Sequence, residues 1–232
     1  PLRRLTLSGQ YRYALYHNDY NNDVDTTAGY PAFITLQDFQ TDEAMGRLSL
    51  RPCSRFTVAF TYRYVETDIT TASDGVPLLA PGGELTSGKY NANIYSVSAT
   101  VTPISRLYLT GLFSLQDTRT TTFDNHNPSV VTYHGNVYTT VGTAGYALDK
   151  KTDVTVEYSY SCAQNPQGKA ADGLPLGVNN QSQSVIAGIS RKFTDNIIGR
   201  IRYGWYQYND SNSGGANDYT AQLVSANCTV RL

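Results

Sequence analysis

Read two residues at a time, the stretch Arg55–Tyr64 (RFTVAFTYRY) splits cleanly. Phe56, Val58, Phe60, Tyr62 and Tyr64 fall on one side, and Arg55, Thr57, Ala59, Thr61 and Arg63 on the other. A period of two with one unbroken apolar face predicts a β-strand between two different environments. Two arginines on the polar side rule out a dry core there, because a buried unpaired charge is too costly. The apolar side ends in two tyrosines.

Four other segments repeat this pattern, starting at Arg4 (RLTLSGQYRY), Arg106 (RLYLTGLFSL), Lys151 (KTDVTVEYSY) and Asn196 (NIIGRIRYGW). Seven residues after each of the five starts stands an aromatic: Tyr11, Tyr62, Phe113, Tyr158 and Tyr203. Nine residues after stand Tyr13, Tyr64, Leu115, Tyr160 and Trp205. The starts are 51, 51, 45 and 45 residues apart, an internal repeat of hairpin size. A water-soluble sandwich has no reason to place rings at one height on strand after strand. A bilayer does, because amphipathic rings settle at the headgroup level.

Alternating return strands lie between the copies, around 44–51, 94–102, 183–191 and 224–232, with a fifth in 136–148 whose faces are blurred by Gly142, Ala144 and Gly145. Return strands meet the next outgoing strand through tight turns such as Arg51-Pro52-Cys53-Ser54 and Phe193-Thr194-Asp195-Asn196. Outgoing strands lead instead into long polar loops, roughly 17–43, 66–90, 117–135, 163–182 and 208–218. The pattern predicts a single all-β domain over 1–232. It is an antiparallel up-and-down transmembrane β-barrel of about ten strands, with short periplasmic turns, long extracellular loops and both ends periplasmic. An even strand count lets the first and last strands pair and close the wall. Pro1-Leu2-Arg3-Arg4 aligns with Pro52–Arg55 and Pro103–Arg106, so the chain opens inside a periplasmic turn.

Composition fits this reading. The 232 residues carry a net charge of −1, which gives no basic excess for nucleic acid. Tyrosine and glycine stand at 19 each and charged residues at 16%, a balance suited to strands and poor for helices. No apolar run reaches the roughly 18 residues of a transmembrane helix, and no signal peptide is present, so a leader has been removed or the chain is a cut piece. Cys53, Cys162 and Cys228 form no CxxC and no CxxCH, so neither metal nor covalent haem is expected.

Candidate chemistry lies on the polar faces. Arg12, Arg63, Arg200, Arg202, Arg4, Arg55, Arg106, Arg47 and Glu157 are expected to line the lumen, with Arg12, Arg63, Arg200 and Arg202 deepest and Glu157 the clearest acid among them. Such arginines bias permeation towards anions, unless they bind headgroups at the rim or pair with loop acids folded inward. Tyr11, Tyr13, Tyr62, Tyr64, Phe113, Tyr158, Tyr160, Tyr203 and Trp205 form the expected membrane girdle. His17, His126 and His134 lie in loops near Asp19 and Asp124. A rim hydrolase would need them held rigidly, and an Asn/Pro-rich loop does that poorly, so no enzyme is expected.

PLRRLTLSGQYRY, TPISRLYLTGLF and the closing FTDNIIGRIRYGWYQYN with DYTAQLVSANCTVRL resemble the hairpins of the porin–cytochrome barrel family (MtrB/PioB-like), larger barrels that sheathe a multihaem cytochrome. The resemblance implies a multihaem cytochrome or further barrel strands as partners and a carboxy-terminal part or shortened form of such a barrel. The residues themselves imply a pore in a bacterial outer membrane, with lipid and lipopolysaccharide around it and no bound cofactor.

Overall fold

The computed structural model describes residues 4–21, 34–75, 82–124, 127–128, 132–165 and 178–230. Eleven strands form among them: β1 Leu5–Asp19, β2 Ile34–Cys53, β3 Phe56–Ser73, β4 Gly83–Ile104, β5 Leu107–Asp124, β6 Asn127–Pro128, β7 Tyr133–Ala147, β8 Thr152–Gln164, β9 Asn179–Lys192, β10 Ile197–Asp210 and β11 Tyr219–Val230. The two-residue β6 pairs only with the end of β5. The other ten form one antiparallel sheet in which every strand pairs with its neighbours in the chain, the up-and-down order of a transmembrane β-barrel. No described helix is long and apolar enough to cross a membrane.

The strands outrun their apolar stripes. By alternation alone, loops begin at 66 and 117 and last until 43 and 90, yet β2 to β5 fill much of that ground. The segment Thr67-Asp68-Ile69-Thr70-Thr71 is mostly β-branched and, Ile69 apart, polar on both faces. It pairs with β2 and β4 because a ladder needs backbone partners and β-branched side chains, not a greasy face. The blurred return strand is β7. Gly142 stands opposite Gly111 on the apolar face, and Gly145 lies under the ring of Tyr108 on the other.

Register adds a constant stagger. Crossing the sheet at right angles from Tyr11 leads through Ala44, Tyr64, Asn93, Asp117, Asn136 and Gln164 to Asn179. Measured from the repeat starts, this line climbs two residues at each hairpin. Rings at a constant offset therefore stay level only if the strands lean. One residue of stagger per strand corresponds to a lean of about 36°, the value for eight strands with shear eight. The nine steps from Arg55 to Tyr64, at about 3.3 Å each and leaning so, rise roughly 24 Å, against about 25 Å for the apolar band of a transmembrane barrel.

Nothing covers the outer face. A water-soluble fold buries a sheet against a second layer. Here, among the described residues, the only buried hydrophobic ones are Ala59, Ala92 and Cys162, and no large side chain is fully buried. The surface is 15746 Å², where a compact 25.5 kDa monomer would show about 10,400 Å². On strands paired along both edges, Ile201 is 57% exposed and Tyr95 51%. In water such a face would be a severe aggregation hazard; in lipid it is solvated. β1 and β11 each pair on one side only, so the closing seam between first and last strands is not formed among the described residues. Both are exposed along nearly their whole length because each lacks a neighbour on one edge.

Candidate lumen and membrane belts

Cross-strand partners share a face, so the register assigns every side chain to the outer or inner surface. All nine expected girdle residues point outward: Tyr11 and Tyr13 on β1, Tyr62 and Tyr64 on β3, Phe113 on β5, Tyr158 and Tyr160 on β8, Tyr203 and Trp205 on β10. The tyrosine hydroxyls reach up into a polar row. Tyr62 donates to Asn93 Oδ1 at 2.8 Å, Tyr64 to Glu66 at 2.5 Å and to Asn91 at 3.1 Å, and Tyr11 to Asp42. Above the rings on the same face, Lys89 bridges Glu66 and Asp68, and Gln183 donates to Gln207 at 2.7 Å. The outer surface thus passes from apolar to polar within one ring's height, as at a lipid–water boundary.

A lower belt has no counterpart in the sequence repeat. Phe56, Tyr146 and Phe193 stand near the turn ends on the outer side. Phe193 lies against Gly199, where an added Cβ would come within 2.7 Å of its ring. Alternation already sets Phe56 on the apolar stripe of its strand, whereas Tyr146 falls on the blurred return strand and Phe193 in a turn, outside the offsets that the five copies share.

The inner face is polar and internally bonded. Hydroxyl pairs recur across it: Thr41 with Thr67 at 2.9 Å, Ser96 with Ser114 at 3.0 Å and Ser159 with Ser184 at 2.8 Å. Arg12, Arg47, Arg63, Arg200, Arg202, Asp153 and Glu157 lie on this side, joined by Glu43, which by sequence pattern falls in a loop. Glu43 binds Arg12 at 2.8 Å and lies 3.8 Å from Arg63, so one carboxylate serves two guanidiniums. Arg47 turns to Ser49 Oγ at 3.4 Å. Arg200 and Arg202 have no carboxylate within 4.0 Å among the described residues, and both are exposed on the inner face. Glu157 is half-buried between Thr143 and Ile186.

Arg4, Arg55 and Arg106 occupy the turns. Arg55 Nη1 donates to the Pro103 carbonyl at 3.3 Å, and Arg106 Nη1 to the Leu148 carbonyl at 3.5 Å, each tying one turn to the next. They sit at the rim.

The histidines are split. His17 bonds Asp38 at 2.6 Å and lies 3.2 Å from Asp19, on the outer face above the girdle; His134 bonds Asp117 at 2.7 Å, also outside. His126 lies outside the described residues. Neither pair has a hydroxyl nucleophile bonded to its histidine among the described residues, and no cluster of metal-ligating side chains forms among them. The three cysteines are free thiols, with Cys162 buried and Cys53 and Cys228 exposed.

No family model and no curated protein matches the chain. Among solved structures, it is similar to a loop-deletion mutant of OmpT, an outer membrane protein of Vibrio cholerae, at 11% identity and a TM-score of 0.45, covering 98% of this chain and 76% of that one. A NanC porin structure aligns at 10% identity and TM-score 0.40 over 83% of this chain and 94% of that one. A Pseudomonas aeruginosa FadL homologue aligns at 11% identity and TM-score 0.33 over 97% and 72%. These are likenesses of shape alone, and no substrate or activity passes from those proteins to this chain.

Proposed function

We propose that the chain forms the wall of an outer-membrane pore for small solutes, with its loops extracellular, its turns periplasmic and a preference for anions. The observation that carries this reading is the contrast between the two faces: leaning strands greasy outside, and inside hydroxyl pairs with more arginines than acids. An inner surface that pairs its own hydroxyls and leaves two cations unpaired is suited to water and ions. The arginines are not equivalent. Glu43 offsets Arg12 and Arg63, whereas Arg200 and Arg202 keep their charge for the lumen. No catalytic role is assigned to any residue.

The test is reversal potential in a salt gradient across planar bilayers. The unmodified protein prefers chloride; Arg200→Gln with Arg202→Gln removes more of that preference than Arg12→Gln with Arg63→Gln. Equal effects, or none, would contradict the assignment. A second reading, a sheath around a multihaem cytochrome, draws on the free edges of β1 and β11, which can accept further strands and widen the wall. A haem protein retained through purification would favour it, and a colourless preparation would count against it.

A further inference from the structure

One row of inner-face residues runs Tyr108–Gly145–Thr155–Gly188–Arg202 across β5, β7, β8, β9 and β10. It alternates a long side chain, a glycine, a threonine, a glycine and a long side chain. The glycines are occupied space. At Gly145 a Cβ would meet the Tyr108 ring at 2.0 Å, and at Gly188 it would stand 3.2 Å from Arg202 Cγ and 3.3 Å from Thr155 Oγ1. Tyr108 and Arg202 therefore fold towards each other over a floor kept low by glycine; at Gly145 a Cβ would displace the ring, and at Gly188 it would press on Arg202 and Thr155. The neighbouring row sets Asp153, Ser190 and Arg200 side by side on β8, β9 and β10. Together the two rows line an open cavity of about 360 Å³, with Tyr108, Asp153, Thr155, Ser190, Arg200 and Arg202 around it.

The chemistry of this lining is specific. Two guanidiniums one pleat apart, with no carboxylate within 4.0 Å among the described residues, can share an anionic group, and planar guanidinium suits a carboxylate. Asp153 faces them from two strands away, a backbone separation of about 9–10 Å. Among the described residues neither guanidinium comes within 4.0 Å of the Asp153 carboxylate, so the space between the two poles is open to a small molecule charged at both ends. Thr155 and Ser190 supply hydroxyls between the poles. Tyr108 closes the side with an apolar ring carrying a polar tip.

Resting on the reading of this face as a wet lumen, we propose that the cavity is a transit site for a small zwitterion of the α-amino acid class. Its carboxylate would lie on Arg200 and Arg202 and its ammonium on Asp153. A plain carboxylate fills one pole and leaves Asp153 repelling it; a plain amine meets two arginines. The site selects the molecule that has both.

Titration calorimetry of the full chain in detergent micelles, with L-glutamine against the same molecule lacking its amino group, tests this. The unmodified protein binds glutamine about tenfold or more tightly, the effect of one charged contact. Asp153→Asn brings the two probes level by weakening glutamine; Arg200→Gln with Arg202→Gln loses both. Gly188→Val, which fills the floor without changing charge, weakens both as well. Equal binding of the two probes by the unmodified protein would overturn the proposal as a simple anion site, and unchanged binding in the arginine pair variant would overturn it altogether. Bilayer current separates this from the pore reading. A conducting protein that glutamine neither binds nor blocks defeats the site alone; a protein that binds glutamine without conducting defeats the pore alone.

Discussion

At the scale of residues, glycine does much of the specifying on the inner wall. Gly145 blurs its strand in the sequence, since glycine weakens a strand and offers no side chain to show its face, whereas alternation sets Gly188 on the polar face of its return strand. In the folded sheet each is the place where a neighbour's long side chain lies down. Gly145→Ala forces the Tyr108 ring off its seat, a small-to-large change that costs about 1–3 kcal/mol. Tyr108→Ala in the same chain should recover most of it, because the three nearest atoms an added Cβ would meet all belong to that side chain. Denaturant unfolding in detergent across the four variants measures this as a double-mutant cycle, and additive losses would contradict the seating of Tyr108. The charge pairs are legible only as a class. Pairing of arginines with loop acids is one expectation of the sequence, but the choice of Glu43 for both Arg12 and Arg63 depends on β2 beginning at Ile34, well before its apolar stripe does.

At the scale of elements, the tight turns hold the register. In the turn from β7 to β8, the Asp149 carboxylate accepts the Lys151 N–H at 2.7 Å and the Thr152 hydroxyl at 3.2 Å. The bond from the Lys151 backbone N–H, with the Thr152 hydroxyl adding to it, holds the Asp149 carboxyl below its ordinary value. A carboxyl whose folded value is depressed stabilises the fold above its unfolded pKa and loses that contribution as pH falls through the folded value. The β7–β8 turn should therefore open on acidification to below the ordinary carboxylate range, with Lys151 losing hydrogen-exchange protection once intrinsic rates are corrected. Asp149→Asn, which keeps an acceptor but cannot titrate, should flatten that dependence. Protection that falls equally in both proteins would dismiss Asp149 as the cause. Strand identity, direction and outer face are legible from the period of two, and the repeat start locates nearly every outgoing strand. Strand length is not, because backbone pairing continues above the rings where neither face is apolar and alternation has nothing to mark.

At the scale of the whole molecule, the stagger of two residues per hairpin joins facts that the sequence displays separately. A constant offset to the rings, a constant climb of the register and an apolar band of bilayer height all follow from one lean of the strands. The sequence shows the offset; the lean is a property of pairing and emerges only in the ladder. Among the described residues, β1 and β11 each keep one edge without a partner strand. In hydrocarbon each unpaired backbone group costs several kcal/mol, so these edges are paired whenever the sheet is in a membrane. The expectation of a closed wall is therefore a requirement of the environment that the ten strands, as described, do not yet meet among themselves.

The placement of the rings at a lipid boundary can be read directly from one side chain. Trp205 is the only tryptophan in the chain, lies in the upper ring row and faces outward. Its fluorescence in vesicles of phospholipids brominated at different depths should be quenched most by bromine close to the carbonyl end of the acyl chain and least by bromine near the methyl end. Quenching strongest at the methyl end, or none by any lipid, would show that the rings do not stand at a membrane surface.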